Sequence, residues 1–185
     1  MLSEGDKAPA FDLEADDGKR VTLKSTLKDD GFVVLYFYPK DNTPGCTREA
    51  QSFTAAKRKL AAAGATVLGV SKDSTKSHCG FKEKYALDFA LLSDPDLVVH
   101  RAYGAYGEKM MYGKKILGTI RSTFLIDGKG RIARVWNRVK VDGHVEQVLE
   151  AMGAQGEAKA GAKANVNVKA GAKAKAGAKA KGKKG

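Results

Sequence analysis

"FVVLYFYPKDNTPGCTREA" (residues 32–50) changes character twice within a short span. The run Phe32 to Tyr38 is continuously apolar and rich in β-branched and aromatic residues, and Pro39 stops it. That length and composition predict a buried central strand rather than a helix. Thr43-Pro44-Gly45-Cys46 then has the order of a helix start, a capping hydroxyl followed by proline at the first helical position. Cys46 falls in the first turn, where unpaired backbone N–H groups and the helix dipole favour an anion. Thiolates are the nucleophilic form of cysteine, and a helix N-terminus is one setting that promotes them. The other reading is a small apolar residue buried at a strand–helix junction, and these residues alone leave both open.

Strands and helices alternate on either side of this stretch. Upstream, "AFDLEA" and "RVTLKS" read as short strands joined by the turn "DDGK" (16–19). Downstream, Phe53, Ala56, Leu60 and Ala63 carry helical spacing as far as Gly64. "TVLGVS" (66–71) predicts a second buried strand, and Asp73 or Ser74 caps a helix running to about Ala86. "DFALLSD" (88–94) follows, and Asp94-Pro95 predicts a short helix ending at Gly104. Residues 105–118 read as a long loop. "STFLID" and "RIARVW" flank a Gly-Lys-Gly turn as a hairpin, and a final helix turns Val145, Val148, Leu149 and Met152 inward. The expected class is α/β, a mixed central sheet flanked by helices.

The net charge of +12 is unevenly spread over the 185 residues. Residues 154–185 hold nine lysines and one acid, Glu157, a net of +8 that leaves +4 for residues 1–153. The division expected is therefore a folded domain over 1–153 and a Lys/Ala/Gly-rich tail over 154–185. The tail has almost nothing to bury and repels itself, so disorder is its expected state. No run approaches the ~20 apolar residues of a membrane span. The acid-rich N-terminus has neither a secretory nor a mitochondrial targeting pattern. Two cysteines without an export signal argue against a disulfide framework and for a reducing, cytoplasmic setting.

Pro39, Thr43 and Cys46 occupy the three fixed places of P-x-x-x-T-x-x-C, the pattern of peroxiredoxins. "FYPKDNTPGCTREA", "GVSKDSTKSHCGFKEKYAL", "LLSDPD", "YGEKMMYGKK" and "RSTFLIDGKGRI" extend the match, so that residues 4–152 resemble the peroxiredoxin Q (bacterioferritin comigratory protein) branch. The resemblance implies a thioredoxin-like fold and a thiol peroxidase acting on hydrogen peroxide and organic hydroperoxides, with no cofactor. It assigns Cys46 as the peroxidatic thiol that becomes a sulfenic acid. The Gly45 and Cys46 N–H groups and the Thr43 hydroxyl would hold the peroxide, and Pro39 would shield the pocket. Arg121, just before "STFLID", matches the active-site arginine; by itself it would read as a solvated strand-end residue. Glu49, one turn after Cys46, would orient Arg121 through a bidentate pair, or else is a surface carboxylate of the first turn.

Many members of this branch carry a resolving cysteine five residues after the peroxidatic one, where this chain has Gln51. The remaining thiol is Cys79, and some relatives resemble this chain in placing the resolving cysteine on that later helix. Helical phase puts Cys79 opposite His78, Phe81 and Tyr85, among Lys76, Lys82 and Glu83, exposed and with lysines to promote its thiolate. A tolerated surface cysteine is the plainer reading. Bonding to Cys46 needs Cα atoms within about 7 Å, so two thiols on different helices require local unwinding. His78, His100 and His144 are too scattered for a metal site and read as packing or surface residues.

Thioredoxin or a similar dithiol is the expected reductant, and the branch suggests a monomer. A thioredoxin-like disulfide reductase would want a second cysteine where Thr43 stands. The tail resembles those of histone H1-like proteins. It would give weak non-specific nucleic-acid binding and association with the nucleoid or nucleus, or else serves only as a solubilising extension.

Overall fold

The computed structural model describes residues 2–111 and 113–154. The tail expected over 154–185 lies, beyond its first residue, outside the described residues. Seven strands form one sheet in the order β2-β1-β5-β4-β3-β8-β9. They comprise β1 (Asp12–Ala15), β2 (Arg20–Thr22), β3 (Phe32–Phe37), β4 (Ala65–Ser71), β5 (Ala90–Ser93), β8 (Ser122–Asp127) and β9 (Ile132–Asn137). The two remaining strands, β6 (Tyr106–Met111) and β7 (Lys114–Thr119), pair only with each other.

The apolar run at 32–38 is the middle of this sheet. β3 runs parallel to β4 and antiparallel to β8, and every residue from Phe32 to Phe37 is buried. Successive side chains of a strand point to opposite faces. Val33, Leu35 and Phe37 therefore enter one core with Val70, Phe124, Val99 and Tyr103. Phe32, Val34, Tyr36 and Tyr38 enter the other with Cys46, Phe53, Leu60 and Phe81. On the first face lie the N-terminal segment, α1 (Leu23–Thr26) and α5 (Val98–Ala102). On the second lie α2 (Pro44–Ala55), α3 (Lys57–Ala62), α4 (Thr75–Tyr85) and a final helix, α6, over 144–154. Val145, Val148 and Met152 are buried there and Leu149 is partly buried. The expected mixed sheet between helical layers is what the chain builds.

Three local expectations are corrected. The helix after Cys46 is broken at Ala56, whose ψ of 0° separates α2 from α3, before Gly64 closes the run at φ +76°. The helix placed after Pro95 starts three residues later, following Leu97 in the left-handed region. Asp94 still acts as the cap, but across a turn: its carboxylate accepts from the Val98 and His100 backbone N–H groups at 3.0 and 2.8 Å. The loop read over 105–118 is the β6–β7 hairpin, registered from Tyr106 opposite Thr119 to Met111 opposite Lys114. It projects beyond the main sheet with Met110 and Leu117 exposed. Neither face enters a core, so its sequence lacks the alternation that betrays a strand.

Candidate active site

β3 delivers the chain at its C-terminal end to a short loop, residues 39–43, and then to the first turn of α2. The antiparallel partner β8 starts at the same edge, with Ser122 opposite Phe37. Arg121, one residue earlier, is thereby brought beside a helix start 75 positions away in the chain. Its Nη2 donates to Cys46 Sγ at 3.2 Å, and its Nη1 donates to Glu49 Oε2. Cys46 is only 2% exposed and Glu49 1%, and the partly buried guanidinium lies between sulfur and carboxylate. The expected bidentate Arg121–Glu49 pair is corrected. The fork is split between sulfur and carboxylate, which leaves Glu49 Oε1 without a hydrogen-bond partner among the described residues.

This arrangement sets the electrostatics. Burial pushes the Glu49 carboxyl up to about 7, although the Arg121 charge and hydrogen bond pull it down. Burial works against the Arg121 charge, but Glu49 and Cys46 outweigh it and hold its proton more tightly than usual. A fixed cation therefore faces the sulfur at a helix N-terminus, where developing negative charge is stabilised. A Cβ at Gly45 would stand 3.4 Å from Arg121 Nη2, in van der Waals contact with the guanidinium.

Thr43 is the residue before α2, with φ −89° and ψ 149°, yet its hydroxyl caps no helical N–H. It donates instead to the Lys40 carbonyl at 3.0 Å. The capping role expected of the hydroxyl is therefore corrected, and its lone pairs stay available to a donor arriving from the pocket. Pro39 is half-buried at the base of the same loop.

Sequence reasoning missed what fixes this loop. Asp41 is buried, its backbone N–H donating to Asp73 Oδ2 at 2.9 Å. Its carboxylate accepts from Tyr38 Oη at 2.7 Å, Ser77 Oγ at 2.7 Å and His78 Nδ1 at 2.9 Å. Burial pushes its pKa up, but the hydrogen bonds from His78, Ser77 and Tyr38 prevail and hold it below the ordinary carboxylate range. Lys109 was missed too. From β6 its Nζ donates to the Thr119 carbonyl at 3.0 Å, and burial together with the Arg121 charge pulls its pKa down. A Cβ at Gly118 would stand 2.9 Å from Lys109 Cε, so the end of the lysine would have to shift. The motif "YGEKMMYGKK" held that signal without showing where the lysine points.

Cys79 lies on α4, exposed as expected, and both cysteines are free thiols. The expectation that lysines promote its thiolate is corrected. Glu83, four residues on and so on the same helical face, lies 3.7 Å from Cys79 Sγ, and its charge raises the thiol pKa. Lys82 pairs with Asp16 at 2.7 Å, and its charge lowers the thiol pKa by less than Glu83 raises it. The three histidines are buried packing residues with separate partners: His78 with Asp41, His100 with Asp94, and His144 with Thr123. His144 is pushed down to about 4 by burial and then by the Arg121 charge.

Comparison with known proteins agrees with this geometry. The AhpC/TSA family profile matches residues 4–135. The putative peroxiredoxin bcp of Coxiella burnetii is 52% identical over 148 residues, 80% of this chain and 97% of the relative. The peroxiredoxin Bcp of Bacillus subtilis is 44% identical over 80% of this chain and 93% of its own length. Among solved structures, the bacterioferritin comigratory protein of Xanthomonas campestris, studied for alkyl peroxide reduction with trapped intermediates, is 43% identical at a TM-score of 0.74. That likeness covers 79% of this chain and 92% of that one. A thioredoxin-like sheet with a buried cysteine at a helix start and relatives of this closeness lead to one conclusion: the chain belongs to the AhpC/TSA family and is a peroxiredoxin of the Bcp (Q) kind, an enzyme that reduces peroxides through a cysteine with a thiol donor.

Proposed function

We propose that Cys46 is the peroxidatic thiol of this enzyme. The Cys46 thiolate attacks the terminal oxygen of ROOH, the O–O bond breaks, and Cys46 becomes a sulfenic acid while RO⁻ leaves and takes up a proton as ROH. The observation that carries this reading is the Arg121 Nη2 contact with Cys46 Sγ at 3.2 Å in the first turn of α2. The same guanidinium stabilises charge on sulfur before attack and on oxygen during it. Thr43 and the Gly45 and Cys46 N–H groups hold the peroxide, Pro39 limits water, and Glu49 positions Arg121.

Cys79 is the resolving thiol in this proposal. It displaces hydroxide from sulfenic Cys46 to give a disulfide and, with the thiol proton, water. Thioredoxin or a similar dithiol then reduces the disulfide. The enzyme acts as a monomer in the cytoplasm, and the basic tail adds weak binding to nucleic acid. The exposed Cys79, with Glu83 against it, also keeps open an enzyme resolved by an external thiol.

Mass spectrometry after one equivalent of peroxide tests the reading. The expected product of the native protein is an intramolecular Cys46–Cys79 disulfide, and Cys46→Ser consumes no peroxide. Turnover by Cys46→Ser with a thiol donor would end the assignment. Full thioredoxin-dependent turnover by Cys79→Ser would instead make this a one-cysteine enzyme.

A further inference from the structure

Asp41 stands five residues before Cys46, and Ser77 and His78 stand immediately before Cys79. These positions, far apart in sequence, meet at one buried carboxylate. Asp41 takes 2.7 Å from Ser77 Oγ and 2.9 Å from His78 Nδ1, both on α4, and 2.7 Å from Tyr38 Oη at the end of β3. The side chains of His78 and Asp41 are 0% and 2% exposed. His78 Nε2 reaches the Leu92 carbonyl of β5 at 3.2 Å, so the imidazole joins the loop, α4 and the sheet. Asp73, before α4, adds a bond to the Asp41 backbone.

We propose that the Asp41–Ser77–His78 cluster is a latch joining the loop before Cys46 to α4, and that its release sets how fast Cys79 reaches oxidised Cys46. The inference rests on the reading of Cys79 as the resolving thiol. Cys46 is buried on α2 and Cys79 exposed on α4, and the carboxylate ties α4 to the loop before α2, so in this proposal the tie opens before the two sulfurs come within disulfide reach. The residues that must move are the neighbours of each sulfur. Breaking one charge-assisted hydrogen bond from a buried partner disfavours the closed state enough to shift the opening equilibrium by about tenfold or more. Unwinding α4 also carries Cys79 away from Glu83, whose position over the thiol depends on helical spacing. While the latch is closed, a second peroxide molecule competes for the sulfenic acid and drives it to sulfinic acid. Asp41, Ser77 and His78 are on this view positioning residues that divide oxidised enzyme between disulfide and over-oxidation.

The test is stopped-flow oxidation of the full chain and of Ser77→Ala and Asp41→Asn, with disulfide and sulfinic acid quantified by mass spectrometry. Hydrogen exchange of residues 75–85 is measured alongside. Ser77→Ala should form sulfenic acid at the native rate yet form the disulfide about tenfold faster, with less sulfinic acid and faster exchange across α4. Asp41→Asn should exceed it in disulfide rate. Native rates of disulfide formation in Ser77→Ala, or slower ones, would overturn the latch while leaving Cys79 as the resolving thiol. Absence of a Cys46–Cys79 disulfide in the native protein would overturn the resolving role itself, and the latch with it.

Discussion

Replacing Glu49 by glutamine should flatten the fall in stability with rising pH. The carboxyl is buried beside Arg121 and keeps its proton up to about 7, against an ordinary 4.5. Between those values the folded protein binds a proton that the unfolded chain has released, so stability declines as pH rises through the interval. The contribution is complete below the unfolded value and lost as pH passes the folded one. At 1.36 kcal/mol for each pH unit, the carboxyl removes about 2 to 3 kcal/mol between about pH 5 and about pH 8.5. Glutamine has nearly the same shape and does not titrate, so Glu49→Gln loses this dependence. The assay is urea unfolding at the two pH values, in a Cys46→Ser background so that thiol titration does not enter. Subtracting variant from parent cancels groups common to both, including His144, which titrates with the opposite sign. A parent and variant with parallel stability profiles would refute the claim that Glu49 is buried at the cost of its charge.

Arg121→Ala removes a charge-assisted donor to sulfur and should lower kcat/KM for peroxide by about tenfold to a hundredfold, with the fold retained, since such bonds contribute ~1.5–3 kcal/mol; unchanged kinetics would take Arg121 out of the reaction. Removing residues 154–185 should abolish weak, salt-sensitive DNA binding in gel-shift titrations while peroxidase activity persists, because nine lysines there offer several phosphate contacts. Equal binding with and without the segment would leave it a solubilising extension.

The parts of the site readable from sequence were those set by near neighbours. An apolar run broken by Pro39 and a Thr43-Pro44 start were enough to place Cys46 in the first turn of a helix behind a buried strand. Arg121 was reachable only through the family pattern, since nothing local distinguishes it from a strand-end cation. What escaped depended on partners distant in the chain. Asp41 and His78 are 37 residues apart and each, taken singly, resembles a loop acid and a packing histidine. The burial that raises Glu49 comes from the closure of the core around it. The β6–β7 hairpin failed for a different reason: it encloses no core, so no periodic pattern was required of its sequence. Thr43 was misread in its chemistry only, because the same hydroxyl can serve α2 or the Lys40 carbonyl, and the loop's shape decides.

The pairing of β3 with β8 has a consequence for the nascent chain. Cys46 emerges from synthesis 75 residues before the arginine that completes its surroundings, and the two meet only when β8 takes its place against β3. Such a contact closes a long loop and forms late relative to local helices and turns. In an unfinished chain the thiol therefore stands without that cation, and the Cys46–Arg121 contact exists only once β8 has paired with β3. On the proposal that Cys46 is the peroxidatic thiol, full reactivity toward peroxide follows the completion of the sheet rather than the synthesis of the cysteine.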